Sequence, residues 1–156
     1  MSVEVEYQKA LYTVLNNAKT ALGVVGVYDI APQPLDGGDV SAFPYIVIGR
    51  TFMNQLDTQT KEGFQVTSRI HVFSRTGSML QCKAIQGGIY SLLHRKPIDV
   101  AGFNCYSLLR NDSDCLPDQD NKVHGICEYV ALVEDLTDPG FAFDAGFDAG
   151  FDIWPL

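Results

Sequence analysis

Apolar and polar residues alternate between positions 64 and 74, which is the clearest pattern in the chain. The apolar side chains fall on one side of an extended backbone and the polar ones on the other: Phe64, Val66, Ile70 and Val72 against Gln65, Thr67, Arg69 and His71. A period of two residues predicts a β-strand with one buried face. Phe73 falls on the polar side and is the exception, and a turn is expected at residues 75–77.

An amphipathic helix is predicted directly after this turn. Ser78 is a candidate N-cap and Gln81 follows three residues later, so both side chains can bond to free amides of the first turn. The apolar residues form one stripe at helical spacing, made of Cys82, Ile85, Ile89, Leu92 and Leu93. Residues 94–96 are expected in the last turn, where cations complement exposed carbonyls, and Pro97 ends the helix. The stripe should cover the apolar face of the strand.

Two adjacent glycines, Gly87 and Gly88, lie inside the predicted helix. Each glycine destabilises a helix by about 1 kcal/mol relative to alanine, so something should require the missing side chains. Close approach of the first helix or of a neighbouring subunit is the interpretation that we favour, and a kink is the alternative. Both glycines are therefore candidate interface residues.

The N-terminal half predicts one more helix and two more strands. An apolar face at helical spacing predicts a helix at residues 4–22, and a short strand is predicted at residues 24–30. The apolar run at residues 45–48 has the β-branched content of a buried strand. A polar turn at residues 54–63 separates it from the alternating strand, so residues 45–74 should form one long hairpin with a projecting tip.

The pattern after the second helix predicts the rest of the sheet. Strands at residues 98–100 and 103–110 are expected to form a tight hairpin, followed by a final strand at residues 123–134. The final strand is apolar on both sides, which predicts a central position or a covering partner, and makes Tyr129 a candidate interface residue. The fold class is therefore α+β: a mixed, mainly antiparallel sheet of four to five strands with two helices packed on it.

The chain ends in a segment of a different kind, GFAFDAGFDAGFDIW. Its aromatic residues are Phe141, Phe143, Phe147, Phe151 and Trp154. Glycines in the repeat disfavour an isolated helix, and five exposed aromatic side chains would be unfavourable in water. We expect residues 1–135 to form one domain and residues 136–156 to form an extended arm. Docking of the arm on another chain is the interpretation that we favour, with docking on its own domain as the alternative.

Composition limits the location and the classes of function. The chain has 156 residues, enough for one domain, and it has no run of the roughly 20 apolar residues that a membrane helix needs. With no signal pattern at its N-terminus, the protein is expected in the cytoplasm, with no membrane partner. Four cysteines without a CxxC pair indicate reduced, mostly buried thiols.

The net charge of −8 is concentrated in the last third of the chain. Residues 1–110 hold ten Lys and Arg against eight Asp and Glu, whereas residues 111–156 hold one against eleven. Without a basic patch the protein is a poor candidate for gripping nucleic acid phosphates. The acidity would suit a passage through which DNA slips without sticking.

No motif indicates catalysis, a cofactor or a metal. The acidic residues Asp112, Asp114, Asp118 and Asp120 resemble a calcium loop, but Leu116 and Pro117 occupy positions that need an oxygen ligand and a glycine. We therefore expect a solvated hairpin loop at residues 111–121. The three histidines have no catalytic or metal-binding spacing around them, so no catalytic residue is assigned.

The ordered series of elements resembles the tail completion or tail terminator family of long-tailed bacteriophages, also described as tail-to-head joining proteins. The resemblance extends over residues 7–135. Its most specific parts are Phe43–Gly49, His71–Arg75, Ala84–His94 and His124–Glu134. It does not extend to the C-terminal arm.

This resemblance implies a structural role in the virion. Proteins of this kind form a six-membered ring on the head-proximal end of the tail tube, stop its growth and provide the surface to which the head joins. The implied partners are further copies of the chain, the tail tube protein and a head-side connector or adaptor, with DNA only as passing cargo. Assembly would take place in the host cytoplasm. A different head–tail connector, a tail tube protein, or a small cytoplasmic enzyme or ligand-binding domain remain the alternatives.

Overall fold

A computed structural model describes residues 2–31, 43–75, 78–119 and 121–136 of the chain. The helices are α1 (Val3–Asn17), α2 (Lys19–Leu22) and α3 (Met79–Leu93). The strands are β1 (Gly26–Tyr28), β2 (Tyr45–Gln55), β3 (Gly63–Ser74), β4 (Phe103–Pro117) and β5 (Val123–Asp135). None of the helices in these residues is both long enough and apolar enough to cross a membrane.

The five strands form one mixed sheet in the order β1-β2-β3-β5-β4. β1 pairs with β2 in parallel, and the other neighbours are antiparallel. This arrangement confirms the predicted α+β class, the long β2–β3 hairpin and the central position of the last strand. Because Gly63 pairs with Glu134 and Ser74 pairs with Val123, the β2–β3 turn and the β4–β5 turn lie at opposite ends of the sheet. β3 has 12 residues, which places these turns about 40 Å apart.

The helices and the sheet enclose one hydrophobic core. β3 contributes Val66, Ile70 and Val72, as its alternation predicts, and α1 contributes Tyr7, Leu11 and Leu15. The buried residues of α3 are Cys82, Ile85, Gln86, Ile89 and Leu93, which confirms the predicted stripe except that Leu92 is only partly buried. Three of the four cysteines are buried, and burial raises the pKa of the Cys127 thiol to about 12.

α3 begins where the sequence predicts, but the partner of Gln81 and the end of the helix differ from the prediction. The Ser78 hydroxyl accepts from the Leu80 amide at 3.2 Å, and the Gln81 side chain accepts from the Ser74 hydroxyl at 2.5 Å, which ties the helix to the end of β3. Residues 94–96 lie after the helix rather than in its last turn. His94 is the C-cap and Arg95 has a positive φ of 62°, so the chain has already left the helix there.

The predicted strand at residues 98–100 and the predicted loop at residues 111–121 are both wrong. Residues 98–100 are irregular and lead into a turn at residues 101–102. β4 instead continues through the acidic region to Pro117, and β5 begins at Val123, so the connection between the two strands is short. Pairing explains the longer strand, because the partner β5 is 13 residues long and offers hydrogen bonds along all of it. The side chain of Gln86 in α3 also donates to the Asp114 carbonyl at 2.7 Å. Asp120 lies outside the described residues.

The first helix is divided at Ala18 rather than continuous over residues 4–22. Its N-terminus is capped by Ser2, whose hydroxyl accepts from the Val5 amide at 3.5 Å. Gly23 follows α2 in the left-handed conformation (φ 78°), which favours glycine and ends the helix.

Candidate assembly surface

One face of the sheet is not covered by a helix in the described part of the chain. We call this surface the outer face. The strand registers place every second residue of β3 and β5 on it. Its central residues are Arg69, His71, Phe73, His124, Ile126, Glu128, Val130 and Leu132. All these residues are partly or fully exposed. An uncovered sheet face with apolar residues at its centre is a feature of proteins that pack against a partner.

A row of stacked rings crosses one end of the outer face. Tyr45 stacks on Phe73 with ring centroids 5.1 Å apart, Phe73 stacks on His124 at 4.4 Å, and His124 stacks on His71 at 5.0 Å. Tyr28 of β1 packs edge-on against Tyr45 at 5.9 Å. The row joins four of the five strands and explains why Phe73, the exception to the alternation, is only partly exposed. Burial in the row raises the pKa of Tyr45.

The two histidines of this row form a direct hydrogen bond. The Nδ1 atom of His71 and the Nε2 atom of His124 are 2.8 Å apart, so one ring nitrogen donates and the other accepts, and the accepting ring must be neutral. Burial lowers the pKa of both histidines, and the neighbouring imidazole and Arg69 lower that of His71 further. Asp118 opposes this effect at His124.

The histidine pair predicts a loss of stability in mild acid. The pKa of each histidine is lower in the folded chain than its unfolded value of about 6.5, so the unfolded chain binds more protons below that pH. The free energy of unfolding should therefore be unaffected by the pair above about pH 7 and fall as the pH decreases through 6.5 and below. Thermal unfolding between pH 8 and pH 5 measures this change. The double variant H71N/H124N should lose most of that dependence, and an unchanged pH profile would contradict the prediction.

Charged and polar side chains lie among the apolar residues of the outer face. Glu128 accepts from Arg69 Nε at 3.3 Å and from the Asn111 side chain at 2.8 Å. Glu134 accepts from Asn104 at 2.9 Å and lies 3.7 Å from the Lys61 ammonium. Ile126, Val130 and Leu132 lie among these pairs. A surface that is half apolar and half polar is the usual composition of an interface between proteins that also exist apart.

The opposite side of the subunit presents the exposed face of α3. Leu80 is 77% exposed, and Tyr90 and Lys83 also face away from the core. A Cβ atom at Gly87 would meet nothing within 4 Å, whereas one at Gly88 would lie 2.6 Å from Leu22 Cδ2. Close approach to α2 thus accounts for Gly88 within the subunit. Gly87 has no such neighbour in the described chain, and its role in an interface remains a prediction.

The two glycines provide a matched pair of substitutions. Gly87→Ala should stabilise the isolated subunit by up to about 1 kcal/mol, because alanine is the better helix former and the added methyl group has space. Gly88→Ala gains the same helix preference but must displace Leu22, so it should be neutral or destabilising. Denaturant unfolding of both variants measures the difference, and equal stabilisation by the two substitutions would show that Gly88 does not need to be glycine.

The other predicted interface residues fall into two groups, one buried residue and five that the structure does not describe. Tyr129 lies on the core side of β5 and is 0% exposed, so it packs inside the subunit and cannot itself touch a neighbour in this conformation. Phe141, Phe143, Phe147, Phe151 and Trp154 lie outside the described residues. Sequence reasoning missed the aromatic row, although Phe73 beside His71 on the polar side of β3 was a signal for it. In the described residues, no group of three or more His, Cys, Asp or Glu side chains could hold a metal ion.

The fold leaves one face of its sheet free to pack against another chain. Comparison with protein families gives the class of protein: the family model described as Tail completion protein gp17 matches residues 9–134. The chain belongs to this family, and it is a structural protein of a phage-type tail.

Among solved structures, the fold is similar to that of a chain in the virion of a native gene transfer agent particle. The TM-score is 0.72 at 20% sequence identity, and the match covers 85% of this chain and 98% of that chain. At this identity the likeness concerns the fold alone. None of the curated proteins matches the chain.

Proposed function

We propose that this chain forms a closed homohexameric ring at the head-proximal end of the tail tube, where it stops tube growth and joins the tail to the head. Membership of the tail completion family supports a role at the end of tail assembly. The similar fold of a chain in a gene transfer agent virion supports a position within a particle. The role is structural, without catalysis or a cofactor.

The observation that carries this proposal is the half-apolar outer face, which no helix of the described chain covers. A ring with rotational symmetry needs a heterologous interface, in which two different patches of each subunit meet. The outer face and the exposed face of α3 lie on opposite sides of the subunit, as head-to-tail packing requires. We propose that the outer face around Val130 packs on the exposed surface of α3 around Leu80 and Tyr90 of the next subunit.

The two ends of the sheet supply the other contacts in this proposal. The β2–β3 turn and the β4–β5 turn project at opposite ends, so one can contact the tail tube while the other contacts the head-side connector. The β4–β5 end carries Asp112, Asp114 and Asp118, and this charge would repel DNA passing as cargo. A ring lumen lined by neutral or basic residues would contradict this placement of the acidic residues.

The test is whether the protein caps tail tubes. Headless tail tubes assembled without the protein are mixed with purified protein, followed by negative-stain imaging and light scattering. We expect rings at one end of each tube, tubes that no longer elongate when tube protein is added, and tubes that now join filled heads. Continued elongation and no joining would overturn the proposal. Long tubes formed by the protein alone would identify it as a tube protein instead.

A further inference from the structure

A groove between α3 and β4 is not explained by the packing of the subunit. It has a volume of about 430 Å³ and is lined by residues that include Lys83, Gly87, Arg110, Ser113 and Asp114. At the bottom of the groove, the Gln86 side chain donates a hydrogen bond to the Asp114 carbonyl. The space above Gly87 is open, so an apolar side chain from outside can reach the backbone of α3 there.

The groove carries an excess of positive charge. Neither Lys83 nor Arg110 has an ion-pair partner among the described residues, and the guanidinium of Arg110 lies 4.2 Å from the centre of the Tyr90 ring. The Asp114 carboxylate is the one anion among the lining residues, and it already accepts from the Cys115 amide at 2.8 Å. A segment with negative charges and aromatic rings would match both the cations and the open space.

We propose that the groove binds residues 137–156 of the C-terminal arm of the neighbouring subunit in the ring. The arm has four aspartates and no lysine or arginine, and its repeat places a phenylalanine directly before three of the aspartates: Phe143–Asp144, Phe147–Asp148 and Phe151–Asp152. A phenylalanine ring fits over Gly87, while the adjacent aspartate lies between Lys83 and Arg110. This inference rests on the ring of the proposed function, and it adds a binding site for each arm in the groove of the next subunit.

Geometry favours the neighbour's groove over the chain's own. The arm starts at Leu136, whose amide donates to the Gly102 carbonyl at 3.2 Å, about 36 Å along β4 from the groove. The β4 edge between them is covered by residues 94–95, because the Arg95 amide donates to the Leu108 carbonyl and His94 accepts from the Arg110 amide. In the proposed ring, the outer face of one subunit meets α3 of the next, and an arm of up to about 70 Å easily reaches its groove.

A mixed-subunit disulfide experiment tests this assignment. One chain lacks residues 137–156 and carries S113C, and the other is full-length and carries F147C; both carry C115S to remove the native thiol near the groove. The two are assembled together on tail tubes and oxidised. We expect a disulfide-linked pair of chains. The matched control carries Y106C in place of S113C, because Tyr106 is exposed on the same strand outside the groove. It should give at least about tenfold less of the cross-linked pair.

A charge-reversal experiment completes the test. K83E should raise the concentration needed for half-maximal ring assembly about tenfold, and deletion of residues 137–156 should have the same effect. The triple substitution D144K/D148K/D152K should restore the assembly of K83E. Rings that form equally well with and without the arm would overturn this inference and leave the proposed ring intact. Disulfides only within one full-length chain carrying S113C and F147C would overturn it in favour of docking on the same subunit. Tubes that the full-length protein never caps would instead overturn the proposed function and this inference with it.

Discussion

Replacing Gly125 by valine should destabilise the subunit by about 3 kcal/mol, because α3 packs directly on this residue of β5. A Cβ atom at this position would lie 2.5 Å from both Cys82 Sγ and Gln86 Nε2. Both side chains are buried on the side of α3 that faces the sheet, so moving them disturbs the core packing and breaks the bond from Gln86 to β4. For a chain of this size the expected decrease in melting temperature is about 6–12 °C.

The control is Ile126→Val, one residue further along the same strand but on the outer face. It removes one methylene from a partly exposed side chain and should change the free energy of unfolding by less than about 1 kcal/mol. Thermal and denaturant unfolding of the isolated subunits compare the two variants. Equal stability of G125V and the unsubstituted chain would mean that α3 does not contact β5 as closely as the structure describes.

The centre of the fold could be predicted because its pattern is local. The alternation in residues 64–74 and the apolar stripe of α3 each specify one buried face, and a strand followed by a helix with complementary faces has few ways to pack. The long apolar run of β5 likewise predicted a central position or a covering partner, and β5 lies between β3 and β4. These three segments pack on one another and supply nearly half of the buried apolar core.

The failures have a common physical cause, which is that strand pairing overrides local preference. Aspartates at positions 112 and 114 predict a loop, yet each is exposed on a strand whose hydrogen bonds are provided by β5. Conversely, Ile98 and Val100 have strand-forming side chains and are buried, but they lie in an irregular segment that closes the core. Sequence alone does not say which segments find a partner strand.

The assembly surface was harder to predict than the core. His71 and His124 meet only because the β3–β5 register places His71 opposite Ile126 and Phe73 opposite His124, so their contact is diagonal across the strands. No spacing along the chain encodes this contact. The adjacent Gly87 and Gly88 looked equivalent in sequence, and only the position of Leu22 distinguishes them. The role of the aromatic arm stays a prediction.

Val130→Glu should abolish ring assembly while leaving the subunit folded. Val130 lies at the centre of the outer face, opposite Thr67 of β3 and Leu109 of β4, and its side chain is partly exposed. In the isolated subunit a glutamate there can reach water. In the proposed ring the same carboxylate would be buried against α3 of the next subunit without a partner and close to Glu128, which should weaken the contact by several kcal/mol. Light scattering should show at least about a hundredfold weaker assembly at that loss of free energy.

The matched control is Val25→Glu, the same change at an exposed valine before β1 and outside both proposed ring surfaces. Circular dichroism and melting temperature should show both variants folded, and tubes capped by V25E should stay at normal length and join heads. Tubes supplied with V130E should continue to elongate and remain headless, because each end lacks a closed ring. Normal capping by V130E would exclude the outer face from the subunit contact, since a buried, unpaired carboxylate at its centre is incompatible with tight packing.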